Sequence, residues 1–335
     1  MTTNRYWRLD AHPQGDDFAA ALSLQHEELP PLEDGQIRVK ADYLSMDAGT
    51  RMWMGGREDG YQPPLPLGTK MVGLGLGRVS ESRDDRFPVG TLVRAFGQWA
   101  DYSTFRPDEA WAVAVDDTLD DIRQHFGVLG LNGWTALYGI QDILRIQPGE
   151  VMVVSAAAGA TGSLAVQIGR NLGARVIGIA GGPDKCRYVE SLGAERCIDY
   201  KNEDLVAELG RIEGGVNAYF ENVGGAVLDA ALQNMALYGR IAVCGMVANY
   251  DAPQGAPGPA HYDQVLMRRL RIEGFFLPDV PEKGPGFYQT LKDWYDEGRI
   301  TAAFDVTTGL ENTLIGYARM LTGKNTGKAL IDVRG

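Results

Sequence analysis

Cysteine is scarce in this chain: three occur in 335 residues, Cys186, Cys197 and Cys244, and none precedes residue 186. No C-x-x-C pair is present, which excludes a zinc ribbon and a disulfide framework and suits a reducing compartment. The four histidines, His12, His26, His125 and His261, are too scattered to suggest a metal cluster. No run approaches the roughly 20 apolar residues that span a bilayer. The first eight residues, from Met1 to Arg8, lack the basic-then-apolar layout of a signal peptide. A cytoplasmic protein without a membrane segment is expected. Cations are also in deficit, with 32 Lys and Arg against 44 Asp and Glu and a formal charge of -12. Phosphate-backbone contacts need clustered cations, so a dedicated nucleic-acid binder is excluded.

What is present is ordinary globular composition, 44% hydrophobic and 23% charged. The length exceeds what one hydrophobic core usually organises, so two domains are expected. Residues 1–128 read as β-rich. Gln36-Ile37-Arg38-Val39-Lys40-Ala41 alternates polar and apolar, as a strand with one solvated face does. Residues 73–79 and 91–96 are further short strands separated by Gly, Pro and Asp, a spacing that fits a small barrel or sandwich. Residues 129–299 alternate strand and helix, the signature of a doubly wound parallel sheet. Val151-Met152-Val153-Val154-Ser155-Ala156 is a continuous apolar strand buried on both faces. A helix over 161–172 follows, with Leu164, Ile168 and Leu172 on one stripe and Gly173 as its cap. The pattern continues with strands at 175–180, 196–200, 216–220, 239–245 and 270–276, and helices at 184–192, 203–209 and 227–237. A Pro/Gly-rich loop occupies 252–259. Residues 300–335 return to short strand-like pieces and complete the first domain.

Between the first buried strand and its helix stands Ala156-Ala157-Ala158-Gly159-Ala160-Thr161-Gly162. Gly159 and Gly162 match the second and third glycines of a dinucleotide-binding loop, with Ala157 in place of the first. The second lets the backbone approach a pyrophosphate, the third lets helix and strand pack closely, and the helix N-terminus attracts the anion. A plain tight turn is the alternative. NAD-specific sites place an acid at the end of the second strand, roughly 20 residues on, for the ribose hydroxyl. Here Gly181-Gly182-Pro183 stands there, followed by Asp184 and Lys185. A glycine pocket beside a cation accepts the extra phosphate of NADPH, so NADP(H) is the expected cofactor. Lys185 as a solvated first-turn lysine is the alternative, and Asp184 reads as a helix cap.

Four segments carry a family resemblance. They are Tyr43-Leu44-Ser45-Met46-Asp47 with Arg51, Gly181-Gly182-Pro183-Asp184-Lys185-Cys186, Glu221-Asn222-Val223-Gly224-Gly225, and Gly323-Lys324-Asn325-Thr326-Gly327-Lys328. In order and spacing they resemble the "YLSxDPYMR", "AGGPxKC", "DNVGG" and "GxNxGK" stretches of the zinc-independent medium-chain dehydrogenase/reductases. Within these the chain is similar to the leukotriene hydroxydehydrogenase, prostaglandin reductase and alkenal double-bond reductase group. The resemblance implies a Rossmann domain plus a β-rich GroES-like catalytic domain. It also implies that Lys185 and Tyr200 hold the 2′-phosphate and that Ala158, Gly159, Ala160, Thr161 and Gly162 hold the pyrophosphate, with Gly181 beside the adenosine end. Thr135, Asn222 and Asn325 would position the nicotinamide half, and Cys244, Gly245 and Phe275 complete the cofactor contacts. Tyr61 matches a pocket tyrosine that hydrogen-bonds the substrate carbonyl, the one catalytic side chain expected. A turn-forming role is the alternative for Asn222 and Asn325. Two departures reshape the pocket: Ala48-Gly49-Thr50 replaces Pro-Tyr-Met, and Met267 stands for a tyrosine. Both count against prostaglandin-like substrates. Tyr250, Tyr262 and Trp53 are candidate liners.

Zinc-dependent relatives carry Gly-His-Glu where this chain has Gly68-Thr69-Lys70, and no cysteine is available before Cys186. A catalytic zinc wants three Cys, His or carboxylate ligands, so no metal is expected. Without a metal to polarise a ketone, conjugate reduction of an electron-poor alkene is the less demanding chemistry. Hydride from C4 of the nicotinamide would attack the β-carbon in the cleft between domains, and the carbonyl oxygen would take the charge as an enolate. A quinone reductase and a non-catalytic NADPH-binding protein remain as alternatives. The resemblance further implies a homodimer joined near residues 270–276, where an open apolar edge strand would otherwise invite aggregation.

Overall fold

Strands dominate the beginning of the chain in the computed structural model, which describes residues 3–56, 58, 60, 63–250 and 257–334. β1 (Thr3–Leu9) and β2 (Leu22–Glu28) form an antiparallel pair, with Thr3 opposite Glu28. β3 (Ile37–Ser45) leads through the short helix α1 (Thr50–Trp53) to β4 (Val72–Ser82) and β5 (Leu92–Gln98). β6 (Tyr102–Phe105) pairs with β3, and β7 (Val113–Ala114) pairs with β5. Alternation sorts these strands: Ile37, Val39, Val79, Val93 and Ala95 cluster inside with Phe87. The glycines of β4 permit the close strand approach, since a Cβ at Gly77 would lie 2.1 Å from the Lys40 carbonyl oxygen.

The second stretch opens with α2 (Leu131–Tyr138) and a π-type turn over Gly139–Leu144. Then come β8 (Val151–Val154), α3 (Ala160–Asn171), β9 (Arg175–Ala180), α4 (Pro183–Ser191), β10 (Arg196–Asp199) and α5 (Leu205–Gly210). β11 (Val216–Glu221), α6 (Gly225–Asn234), β12 (Met235–Val243), α7 (Asp263–Met267), β13 (Arg271–Gly274) and α8 (Gly284–Asp296) follow. The six strands form one parallel sheet in the order β10-β9-β8-β11-β12-β13. Numbered from β8, this is the 3-2-1-4-5-6 order of a Rossmann sheet, whose switch point falls between β8 and β11. All four residues of β8 are buried, as a central parallel strand requires.

The chain then returns to the first group of strands through β14 (Phe304–Thr308), α9 (Thr313–Leu321) and β15 (Lys328–Asp332). β15 pairs antiparallel with β3, Leu330 opposite Ser45. Tyr317 of α9 is fully buried, with the rings of Phe18 and Trp99 edge-on at 5.0 and 5.3 Å. Met1–His125 with Phe304–Gly335 forms one compact unit and Phe126–Ala303 the other.

Several boundaries differ from the sequence pattern. The helix expected over 227–237 ends at Asn234, because Met235 is already extended and begins β12. Leu237 therefore lies on a strand. The tail after residue 300 contains α9 as well as strands, and α8 forms where no element was expected. The Pro/Gly loop at 252–259 lies largely outside the described residues.

One ion pair ties the N-terminal ends of the parallel strands. Glu150, just before β8, takes Arg240 of β12 in a two-point contact of 2.6 and 2.8 Å, and Arg240 Nε also donates to the Leu144 carbonyl at 2.9 Å. The Arg240 hydrogen bonds hold the Glu150 carboxyl below the ordinary glutamate range. A depressed carboxylate stabilises the fold above its unfolded value and stops doing so as pH falls through its folded value. Glu150→Gln is expected to lower the unfolding free energy at pH 7 by about 1 kcal/mol after solvent screening. The gap from wild type should close below about pH 4. Urea unfolding at both pH values checks this; a gap that persists in acid would show that packing, not charge, carries the contact.

Candidate cofactor site

The loop after β8 has the shape its glycines suggest. Ala156 adopts a left-handed φ of 47°, turning the chain sharply at the strand end. Ala157 is buried and donates its N–H to the Ile179 carbonyl at 3.0 Å, which fixes the loop to β9. A Cβ at Gly162 would lie 2.2 Å from the Ala156 carbonyl oxygen, so the helix reaches this close only with glycine there. At Gly159 the clearance is wider, 3.2 Å from the same oxygen. α3 starts at Ala160 with no side chain capping it, so its first N–H groups have no internal acceptor. Thr161 Oγ1 accepts from Asn132 Nδ2 at 3.0 Å. That bond brings α2 to the mouth of the loop, and Thr135, one turn along α2 from Asn132, shares that face. An open helix N-terminus over a glycine cradle fits a pyrophosphate.

At the end of β9 the structure gathers Gly181, Tyr200 and Lys201. A Cβ at Gly181 would meet Lys201 Cε at 2.8 Å and the Tyr200 ring and hydroxyl at 2.9 and 3.0 Å. Lys185 is half-buried in the first turn of α4. Lys201, exposed beside the same glycine, was not singled out from sequence; its place directly after Tyr200 was the available signal. Asp199 was also missed. It accepts from the Gly182 N–H at 2.7 Å, the Lys201 N–H at 3.1 Å and the Asn202 amide at 2.7 Å. Those bonds, the Gly182 N–H foremost, hold its carboxyl below the usual range. Asp199 is thus committed to the turn. Asp184 does not cap α4 as expected: the N-cap is Gly182, and Asp184, inside the first turn, is exposed and pairs with Arg187.

Across the switch point, Asn222 follows the last residue of β11. Its backbone N–H donates to Ser155 Oγ at 2.8 Å and its side-chain amide to the Ser155 carbonyl at 2.7 Å. The N–H groups of Cys244 and Gly245 donate to the Glu221 carbonyl at 2.9 and 3.1 Å. Burial, with Glu221 nearby, pushes the Cys244 thiol up to about 12, so it stays protonated at neutral pH and is no nucleophile. The Tyr250 hydroxyl would lie 2.9 Å from a Cβ at Gly245. The Phe275 ring packs edge-on against Tyr138 at 5.5 Å and Phe220 at 6.3 Å. Tyr262 and Met267 are exposed.

Asn325 belongs to the other unit, where it is buried and donates to the Gly327 carbonyl at 2.9 Å. Two of the motif segments meet there: buried Lys328 donates to the Met46 carbonyl at 3.0 Å and pairs with Asp47. Arg51 is buried and donates to the Pro13 and Gly15 carbonyls at 3.1 and 3.4 Å. Trp53 is buried against Phe96 at 5.3 Å. Lys70 pairs with Glu27 and lies 4.6 Å over the Tyr6 ring. Tyr61 lies outside the described residues. Among the described residues, no group of three or more His, Cys, Asp or Glu side chains is placed to hold a metal ion.

A glycine loop on the first strand of a 3-2-1-4-5-6 sheet, joined to a separate β-rich unit, defines a dinucleotide-dependent oxidoreductase architecture. Comparison with known proteins agrees. Residues 5–113 match the family model "N-terminal domain of oxidoreductase", and residues 160–295 match "Zinc-binding dehydrogenase". The chain is 35% identical to the NADPH-dependent curcumin reductase of Escherichia coli (strain K12), covering 99% of this chain and 97% of that one. It is 35% identical to the NADP(+)-dependent 2-alkenal reductase of Nicotiana tabacum, covering 90% and 89%. The crystal structure of CurA from Vibrio vulnificus in complex with NADPH superimposes with a TM-score of 0.92 at 32% identity, covering 99% of each chain. The chain belongs to the zinc-independent group of the medium-chain dehydrogenase/reductases.

Gly162→Ala is expected to lower stability by about 1–3 kcal/mol and weaken NADPH binding about tenfold, because the obstructing atom is backbone and cannot rotate away. Thermal unfolding and a fluorescence titration check it; wild-type affinity would mean the loop does not hold the pyrophosphate.

Proposed function

We propose that this protein reduces the carbon–carbon double bond of α,β-unsaturated aldehydes and ketones with NADPH. The observation that carries the cofactor half is the corner at Gly181, flanked by Lys201 and the Tyr200 hydroxyl, with Lys185 in the first turn of the following helix and the Asp199 carboxyl committed to backbone N–H groups. The substrate half rests on full-length likeness to relatives named for reducing curcumin and 2-alkenals. Bound NADPH supplies the hydride. Lys185, Lys201 and Tyr200 bind the 2′-phosphate, and the loop from Ala158 to Gly162 binds the pyrophosphate. Thr135, Asn222, Cys244, Gly245, Phe275 and Asn325 orient the nicotinamide end. Tyr61 donates a hydrogen bond to the substrate carbonyl oxygen as charge gathers there, a contribution of about 3–4 kcal/mol to the transition state. The Phe126–Ala303 unit is then the cofactor domain and the β-rich unit the substrate domain. The reaction needs no metal ion, consistent with threonine at position 69 and the lack of cysteine before residue 186.

Two further readings belong here. The three thiols are free, which suits the cytoplasm. The protein forms a homodimer through β13, which among the described residues pairs only with β12 and lies near exposed Leu237, Tyr238, Leu266 and Met267. An open edge with such neighbours favours strand addition by a second copy.

NADPH oxidation against enals, enones, nitroalkenes and quinones is the direct test of function. Turnover of the enals and enones is expected, with NADPH preferred over NADH and no loss on chelation. Lys201→Glu should raise the KM for NADPH about tenfold and leave that for NADH nearly unchanged. Turnover confined to quinones, or none at all, would overturn the reading. Light scattering should give twice the chain mass for the wild type and a monomer for Ile272→Lys; a monomeric wild type would dispose of the dimer.

A further inference from the structure

Glu221 is fully buried at the end of β11, and both its ends are engaged. Its backbone carbonyl accepts the N–H groups of Cys244 and Gly245. Its side-chain Oε1 accepts the N–H of Val223, the N–H of Gly224 at 2.9 Å and the Ser155 hydroxyl at 3.1 Å. Ser155, itself fully buried after β8, in turn takes both N–H groups that Asn222 offers, as described above. One residue thereby joins the ends of β8, β11 and β12.

A buried carboxyl bonded to N–H and O–H groups, rather than to a cation, is a costly way to fill a core position. Oε2 is buried and has no hydrogen-bond partner among the described residues. Neighbouring groups stay neutral: burial, then Glu221, pushes both the Tyr219 hydroxyl and the Cys244 thiol above their ordinary ranges. The turn it holds is itself demanding. Gly224 has a φ of 81°, and a Cβ there would lie 2.4 Å from Asn249 Oδ1. Without the carboxyl, the Val223 and Gly224 N–H groups lose their acceptor and the turn loses its reason to close.

We propose that Glu221 is the positioning residue for the nicotinamide end of the cofactor. It touches no cofactor atom; it sets the places of Asn222, Cys244 and Gly245 through one carboxyl and one carbonyl. The adenosine end, built on Asp199, Tyr200 and the lysines, is independent of it. This inference rests on the NADPH reading given above, and it is tested by binding alone, without turnover.

Calorimetric titrations of the full chain with NADPH and with 2′,5′-ADP, which occupies only the adenosine end, separate the two halves. For Glu221→Met, which removes the acceptor at nearly equal volume, and for Glu221→Ala, 2′,5′-ADP affinity should stay within about twofold of wild type, while the advantage of NADPH over it falls about tenfold. Glu221→Gln, whose amide oxygen keeps an acceptor at the same reach, should recover most of that advantage. Parallel weakening of both ligands would assign Glu221 to general stability and overturn the proposal, as would an unchanged ratio in Glu221→Met. Should the Ala variant not fold, the Met variant still decides. A wild type that binds NADPH tightly yet reduces no alkene would sink the proposed function and leave this ratio standing.

Discussion

At the C-terminal edge of a parallel sheet the backbone leaves the ladder, and the N–H groups of the next few residues have no strand to bond. Two carboxyls meet that need here, each at a strand end. Asp199 closes the turn at Gly182 and Lys201. Glu221 closes the turn at Val223 and Gly224. These turns follow the strands on either side of the one that carries the glycine loop, so that edge of the sheet is held in shape by carboxyls bonded to its own backbone. A loop with its N–H groups already satisfied can be rigid before any ligand arrives, which lowers the ordering cost of binding.

On the proposed NADPH reading, the first of these acids bears on the choice of cofactor. An acid at the adenosine end would serve a ribose hydroxyl and repel a phosphate. Asp199 is present but turned to backbone N–H groups, and Gly181 is flanked by Tyr200 and Lys201. At the other end, Ser155 and Asn222 hold each other by two bonds across the switch point, which ties the C-terminal ends of β8 and β11 together.

Much of this was legible in the sequence. The apolar run at Val151–Val154, the glycines at 159 and 162 and the strand–helix rhythm that follows are local signals, and they placed the sheet and the loop. The motif segments singled out Lys185, Asn222 and Asn325, and the wider resemblance singled out Tyr200. Other parts were not read, for identifiable reasons. α8 and α9 do carry helical stripes, Phe287, Leu291 and Trp294 in one and Leu314, Tyr317 and Leu321 in the other, but turn-like Gly284-Pro285-Gly286 and Gly309 stand before those stripes. The burial of Phe287, Leu291 and Tyr317 marks the packed faces. Met235 ends α6 because β12 needs it, a tertiary demand that no helix propensity records. Asp199 and Glu221 read in sequence as ordinary strand-end acids. Only the coordinates show which N–H groups they face.

The pairing of β15 with β3 also has a meaning in time. Ser45 lies opposite Leu330, and Asp47 waits for Lys328, so nearly the whole chain separates the partners. At about 5–20 residues per second, a ribosome needs some tens of seconds to cover that distance. During that interval β3 has one open edge and Tyr317 has not yet arrived between Phe18 and Trp99. The parallel-sheet unit, contiguous from Phe126 to Ala303, is finished first. The β-rich unit is therefore the last to be completed on the nascent chain, and loss of even the final dozen residues would leave it without its closing strand.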